Sequence, residues 1–503
     1  MIQAKTKVLL IYPTLFKITG LPLGLASLSS VLRDGGHIVK VFDTACFDIN
    51  ERLDENEIRI KRMLAKSATD EDKYLFKSDS NVKTVLTKLI NEYKPQLVGI
   101  SILEPNYETS LLLSKIIKGV NKEIIIVAGG VFPTLAPDVV IKEECIDAVC
   151  LGEGENALLE LCNRISTNDS VSDIDGLWIK NEKETHKNKL GQLKELNELP
   201  HPDFDCFDER MFYKPMQGKL YKMVNIEISR GCPYKCSYCA APELKNLYKN
   251  SDSSKYYRLM RMEKIFDQIH YQIKRHSPEF IYFSSETFLA MKKSDFEMFI
   301  EEYKKIKLPF WFQTRFETIR EDWIRKLKDV GMFWLTIGLE HGNEEFRKKR
   351  LKRHYSNEVV LESMMVLKKL DCGATINNMI GFPFETRELI FDTIKLNKKL
   401  WQLNNKLETN AYIFTPFRGC ELYDLCKKNG LLNNDTYIKN TEMYDETVLN
   451  FSDEFKADIK SLVRTFNLYV RLPEEYFPRI KVAELDNEEG DLMFSELTTE
   501  ALG

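Results

Sequence analysis

Cys232, Cys236 and Cys239 stand in the run Ile228-Ser229-Arg230-Gly231-Cys232-Pro233-Tyr234-Lys235-Cys236-Ser237-Tyr238-Cys239. A Cys-x3-Cys-x2-Cys loop presents three thiolates from one tight turn, which suits three corners of a cubane iron–sulfur cluster and leaves the fourth iron without a protein ligand. Such an iron is a place for chemistry. A zinc site would need four ligands, as paired Cys-x2-Cys knuckles or with paired histidines, and Cys372, Cys420 and Cys426 are too scattered to supply one. Disulfides are disfavoured by an odd count of 11 cysteines spread over 503 residues and by the absence of a secretory signal.

The elements that must position this loop are read from apolar periodicity. Short apolar runs at 8–12, 38–43, 97–101, 124–128 and 148–151 are separated by helix-length segments, a pattern that predicts a doubly wound parallel, Rossmann-like sheet over residues 1–165. Such sheets bind ligands at the carboxyl ends of their strands. There the sequence places Gly129-Gly130 and Gly152-Glu153-Gly154-Glu155, whose glycines allow close backbone approach to a bulky ligand. The Gly-x-Gly-x-x-Gly fingerprint of a nicotinamide or flavin site is absent after Tyr12. Residues 50–94 read as a charged helical insertion.

A proline-punctuated linker with a small hairpin is expected over 166–221. Six further strand-like runs, at 224–229, 280–284, 309–314, 334–339, 375–380 and 411–414, alternate with amphipathic segments over 222–440. Six strands in that length fit a partial (β/α)6 barrel better than a closed eight-stranded one of ~250 residues. Residues 441–503 read as a mainly helical extension ending in an acidic, solvated tail. The overall class is therefore α/β.

At the cysteine loop, with the aromatic Tyr238 just before Cys239, the chain resembles the radical S-adenosylmethionine (SAM) superfamily. That resemblance implies a [4Fe-4S] cluster on Cys232, Cys236 and Cys239, with SAM chelating the fourth iron and cleaved to methionine and a 5′-deoxyadenosyl radical. Ser285-Glu286-Thr287-Phe288, Thr314-Arg315, Gly338-Leu339-Glu340-His341-Gly342 and Gly381-Phe382-Pro383-Phe384-Glu385-Thr386 are similar to the family's strand-end motifs. Tyr238, Glu286, Arg315 and Glu340 are thereby SAM-binding candidates. A buried carboxylate at Glu340 paired with Arg315 is the competing structural reading, and His341 is either an acid–base group or an ordinary supporting histidine. The loop at Phe417-Arg418-Gly419-Cys420 departs from the family's Pro-Gly-Thr.

The segments Pro22-Leu23-Gly24-Leu25, Leu32-Arg33-Asp34-Gly35-Gly36-His37, Ala128-Gly129-Gly130-Val131-Phe132-Pro133-Thr134 and Ile146-Asp147-Ala148-Val149-Cys150-Leu151-Gly152-Glu153-Gly154-Glu155 resemble the cobalamin-binding domain that precedes many radical SAM barrels. Gly129, Gly130, Gly152, Glu153 and Gly154 are thereby cobalamin-binding candidates. None of the seven histidines lies in an Asp-x-His-x-x-Gly motif, so the axial ligand stays open; a domain that has lost its cofactor is the alternative.

Together these resemblances imply a cobalamin-dependent radical SAM enzyme that methylates an unactivated carbon of a small-molecule or peptide substrate. Cyclisation, rearrangement or oxidation without methyl transfer is the enzymatic alternative; a non-catalytic iron–sulfur electron-transfer or binding protein is the alternative of another class. An electron donor such as flavodoxin or ferredoxin is implied. Hydrophobic content of 43%, charged content of 29% and a net charge of −4 are ordinary for a globular chain and give no global argument for nucleic-acid binding. The run at 8–12 is too short for a signal or membrane span, and a cytoplasmic location is expected.

Overall fold

The computed structural model describes residues 5–14, 20–47, 49, 58, 60–63, 81–181, 184–250, 256–433 and 445–502. Strands β1 (Lys7–Tyr12), β2 (Ile38–Asp43), β3 (Leu97–Ser101), β4 (Ile125–Gly129) and β5 (Ala148–Cys150) form a parallel sheet in the order β2-β1-β3-β4-β5. Their apolar runs are continuous because helices cover both faces. Along β1, Val8 and Leu10 enter one core with the helices Leu23–Asp34 and Glu155–Thr167. Leu9 and Ile11 enter a second core with the helices Val82–Tyr93 and Tyr107–Val120. The expected charged insertion at 50–94 lies mostly outside the described residues; its last part is the helix Val82–Tyr93.

The hairpin of the linker extends this sheet. Strand β6 (Leu177–Lys180) pairs antiparallel with β5, and β7 (Thr185–Lys187) antiparallel with β6. Beyond them come β8 (Tyr213–Met216) and β9 (Lys219–Glu227), an antiparallel pair, followed by the short ribbon of β10 (Ser229–Arg230) and β11 (Arg258–Leu259). Strands β12 (Phe280–Ser284), β13 (Phe310–Arg315), β14 (Met332–Glu340), β15 (Gly373–Ile380) and β16 (Leu407–Ile413) continue in parallel from β9, giving the order β16-β15-β14-β13-β12-β9-β8.

This second sheet is the incomplete barrel, six parallel strands with β8 as an antiparallel edge. One face carries Val224, Ile226, Phe283, Phe312 and Leu335 into the core with Ile265, Phe296 and Leu327 of the surrounding helices. The opposite face is polar and aromatic and lines the lumen. Gln217, in the β8–β9 turn, donates to Glu408 of β16 at 2.6 Å, tying the two edges of the sheet across the open side.

The helix Asp453–Arg471 packs on β16, where Asn467 Nδ2 donates to the Thr409 carbonyl at 3.0 Å. The acidic stretch expected as a solvated tail is instead the helix Glu488–Leu502, with Leu497 buried against Phe466 and Val470 in a third core. Its apolar positions are spaced for one face, which the segment's acidity obscures in the sequence. Among the described residues no helix is long and apolar enough to cross a membrane.

Candidate active site

β9 delivers the chain to the cysteine loop, and the β10–β11 ribbon clamps its start. Gly231 has φ +79°, and a Cβ there would lie 2.6 Å from the Tyr256 carbonyl oxygen, so the turn into Cys232 admits only glycine. Cys236 is buried, while Cys232 and Cys239 are half-buried. Arg315, at the end of β13, donates from Nη1 to Cys236 Sγ at 3.1 Å. The Ala241 N–H points at Cys239 Sγ at 3.4 Å. Burial pushes the Cys239 thiol up to about 12 and raises Cys232 as well, which keeps both protonated while no metal is bound. Among the described residues no group of three or more His, Cys, Asp or Glu forms a ready metal-ion site. The fit to a cluster rests on the donor set: three thiols on one loop with hydrogen-bond donors aimed at two of the sulfurs.

Two of the four SAM candidates meet through a residue the sequence reading missed. Arg353 donates from Nη1 to the Tyr238 hydroxyl at 2.6 Å and to Glu340 Oε1 at 2.9 Å, and from Nη2 to the Gly338 carbonyl at 2.7 Å. The pairing of Glu340 with Arg315 is corrected. Arg315 instead engages Glu317 at 2.6 Å and Cys236, with Tyr234 stacked on its guanidinium at 3.8 Å. The cause is a bulge in β14: Arg315 of β13 registers with Gly338, while on the other side of β14 the ladder to β15 slips between Gly338 and Glu340, and Glu340 takes φ +68°. Its side chain therefore leaves the row of Arg315. Glu286, after β12, is exposed beside the cysteine loop; its carbonyl accepts from Thr287 Oγ1 at 2.7 Å, its carboxylate has no hydrogen-bond or ion-pair partner among the described residues, and partial desolvation raises its carboxyl.

His341 does not reach the mouth. It is fully buried, its Nδ1 accepts from the Asn343 N–H at 3.0 Å, and its Nε2 faces Glu385 Oε1 at 2.8 Å. Because Nδ1 accepts, Nε2 carries the proton and donates. Glu385 in turn accepts from the Phe382 N–H at 2.9 Å. The histidine fastens the loop after β14 to the loop after β15. His37 likewise packs, accepting from the Thr6 N–H at 3.3 Å.

All five cobalamin candidates line one cavity of about 220 Å³ at the carboxyl edge of the first sheet, beside Gly24 and Gly99. The glycines do not serve one purpose. At Gly130 a Cβ would meet the Ile102 carbonyl oxygen at 2.7 Å, and at Gly152 it would collide with the Tyr248 hydroxyl, so both keep the fold's own segments together. Gly129 and Gly154 have ordinary room for a side chain, the nearest atoms lying at 3.6 and 3.4 Å, and their bareness opens the cavity.

The same cavity is walled by a charge network joining the two sheets. Arg230, two residues before Cys232, binds Glu155 at 2.8 Å, Glu227 at 3.0 Å and Glu153 at 3.4 Å. Arg258 adds a second ion pair to Glu153, and Ser27 donates to Glu155 at 2.9 Å. Burial alone would raise Glu155, but Arg230 overrides it and holds the carboxyl below its usual range.

A second cavity, of about 340 Å³, lies between the strand ends of the first sheet and the residue after Cys239. Tyr12, Leu103, Val131 and Phe132 face Ala240 and Phe417 across it. The Arg418 N–H donates to Glu104 Oε2 at 3.0 Å. The loop that departs from the family's sequence thus closes onto the first domain.

Residues 226–396 match the radical SAM superfamily and residues 15–162 match the B12 binding domain. An uncharacterized methyltransferase of Pyrococcus horikoshii is 26% identical, over 89% of this chain and 86% of that protein. The anaerobic magnesium-protoporphyrin IX monomethyl ester cyclase of Rubrivivax gelatinosus is 24% identical over 69% of this chain, which spans 60% of the cyclase. Among solved structures, the radical SAM methyltransferase TsrM of Kitasatospora setae, with cobalamin and a [4Fe-4S] cluster bound, shares the fold over 99% of both chains with a TM-score of 0.65 at 14% identity.

Proposed function

We propose that this chain, which belongs to the radical SAM enzymes that carry a B12-binding domain, transfers a methyl group to an unactivated carbon of a small-molecule or peptide substrate. The observation that carries this reading is the 340 Å³ cavity, which joins the strand ends of the first sheet directly to the residue after Cys239. When bound, the cluster and SAM supply the radical that opens a C–H bond, and cobalamin supplies the methyl group.

The chain's own residues bind, orient and shield. Cys232, Cys236 and Cys239 would hold three irons of a cluster, and Arg315 sets a positive charge against the Cys236 sulfur. Glu286, whose carboxylate lacks a described partner, would accept from the SAM amino group or a ribose hydroxyl. Glu340 and Tyr238, fixed through Arg353, shape the opposite wall. Gly129 and Gly154 open the cavity that would receive cobalamin, with Gly130, Gly152 and Glu153 lining it. The apolar faces of Leu103, Val131 and Phe132 exclude water from the meeting point, as a radical intermediate requires. Residues 1–165 and 222–440 are the two cofactor-bearing units, 166–221 the linker and 441–503 the helical cover. The reductant is a flavodoxin- or ferredoxin-type donor, which places the reaction in the cytoplasm.

The test is incubation of the reduced, cobalamin-loaded enzyme with SAM deuterated in its methyl group and a metabolite extract. Labelled methyl in a new product, with both S-adenosylhomocysteine and 5′-deoxyadenosine formed, is the expected result. Deoxyadenosine without labelled product moves the reading to cyclisation, rearrangement or oxidation, and absence of both by-products overturns it.

A further inference from the structure

Lys214, on the barrel's edge strand, has no hydrogen-bond or ion-pair partner among the described residues. Lys214 of β8 registers with Tyr221 of β9. Alternate residues of β9 share a face, so Tyr221 and Asn225 lie together, and Asn225 registers with Tyr282, and Tyr282 with Trp311. That row lies opposite the face that packs against the helices, so it lines the lumen.

The ends of Lys214 and Asn225 converge. A Cβ built on Gly20 would lie 2.9 Å from Lys214 Nζ and 3.3 Å from Asn225 Nδ2. Asn225 is 5% exposed, its Nδ2 donates to the Leu21 carbonyl at 2.9 Å, and its Oδ1 is buried with no hydrogen-bond partner. Lys214 makes no hydrogen bond or ion pair with a described residue. Burial pushes its amine down to about 8, and no neighbouring charge contributes. A half-buried amine and a buried orphan acceptor on neighbouring side chains, with no bond between them, leave two polar groups that a third can serve. Stacked Tyr282 and Trp311, with ring centroids 4.3 Å apart, supply an apolar wall in the same row.

We infer that Lys214 and Asn225 are the seat of an oxyanion carried by the substrate, a carboxylate or a phosphate, with an N–H or O–H donor next to it. The ammonium of Lys214 takes the anion and Asn225 Oδ1 takes the adjacent donor. An α-amino or α-hydroxy acid, or a phosphate beside a hydroxyl, meets both requirements. Lys214 and Asn225 would then set specificity by holding one end of the substrate at depth while its other end reaches the mouth at Glu286. This deepens the reading that the barrel receives the substrate.

The experiment uses the full-length enzyme with its cluster and cobalamin, without SAM or turnover. An amine-acylating reagent is applied at pH 8 in chloride, acetate or inorganic phosphate of equal ionic strength, and the labelling of Lys214 is followed by peptide mass spectrometry, with exposed Lys122 as control. Acetate or phosphate should slow labelling of Lys214 about ten-fold at a concentration about ten times its dissociation constant, leaving Lys122 unchanged. Protection by acetate alone assigns a carboxylate; protection by phosphate alone assigns a phosphoryl group. If the reagent does not reach Lys214, the deciding measurement is the unfolding midpoint, which either anion should raise in the wild type and not in Lys214→Met. Equal labelling in all three salts, or no Lys214-dependent rise in midpoint, overturns the inference. Failure here leaves methyl transfer standing, and failure of methyl transfer leaves the anion seat standing.

Discussion

Arg315 Nη1 lies 3.1 Å from Cys236 Sγ while its other side is held by Glu317 and by the face of Tyr234. A guanidinium at a sulfur ligand stabilises the added negative charge of the reduced cluster more than the oxidised one. Arg315→Gln should therefore lower the cluster's reduction potential, on the order of 60 mV for a ten-fold change in a one-electron equilibrium, while Arg315→Lys lowers it less. A redox titration followed by electron paramagnetic resonance reads the shift; an unchanged potential in Arg315→Gln would show that the contact has no electronic effect.

Glu340 and Arg353 form the other charged pair of the mouth, with side chains 12% and 4% exposed. Removing one partner strands the other in a poorly solvated place. Arg353→Met should cost about 3–5 kcal/mol and raise the KM for SAM through displacement of Tyr238. The double variant Arg353→Met with Glu340→Gln should recover part of the stability, because no carboxylate is left unpaired. Chemical denaturation of the three proteins decides it: a double variant no more stable than Arg353→Met would mean that the pair is not coupled.

The contrast between these pairs shows what was legible in the sequence. Strands such as 38–43 and 97–101 are readable because continuous apolar runs bounded by turn residues survive whatever packs on them. Register is not readable. The slip between Gly338 and Glu340 has no marker in the sequence, so Arg315 looked like the nearest cation and Arg353, beyond a helix, did not. Arg230 was hidden for the opposite reason: it sits within the cysteine run itself, and only the docking of the two sheets shows that its partners are Glu153 and Glu155. The glycine loops were found as a group, but the sequence could not separate Gly130, which the fold itself requires, from Gly129, which it does not.

That separation changes how the cobalamin cavity is tested. A side chain at Gly130 collides with the Ile102 backbone and needs φ +107° with ψ −173°, a region essentially reserved for glycine, so Gly130→Ala should destabilise the fold by about 1–3 kcal/mol or more whether or not a cofactor binds there. Gly129→Leu is the informative change, since its Cβ has 3.6 Å to Cys150 and the rest of the side chain enters the cavity. Gly129→Leu should lower bound cobalamin, measured by its visible absorption after gel filtration, and leave iron and sulfide content unchanged. Full cobalamin uptake by Gly129→Leu would place the cofactor elsewhere.

Lys214 makes the stability of the apoprotein depend on alkaline pH. Burial holds its amine at about 8, below the 10.5 usual for a lysine, so between those two values the unfolded chain binds more protons than the native one. Stability then rises with pH across that window: the contribution is complete above 10.5 and is lost as pH falls through about 8, where a buried ammonium opposes folding. Lys214→Met has no such group, so the variant should be more stable than the wild type at pH 7, by a few kcal/mol at most, and the difference should shrink toward pH 10. Acetate or phosphate should close the gap at pH 7 by pairing the ammonium. Urea unfolding of both proteins between pH 7 and 10 gives the two curves, and curves that stay parallel would show that Lys214 keeps its ordinary basicity and is hydrated in the lumen.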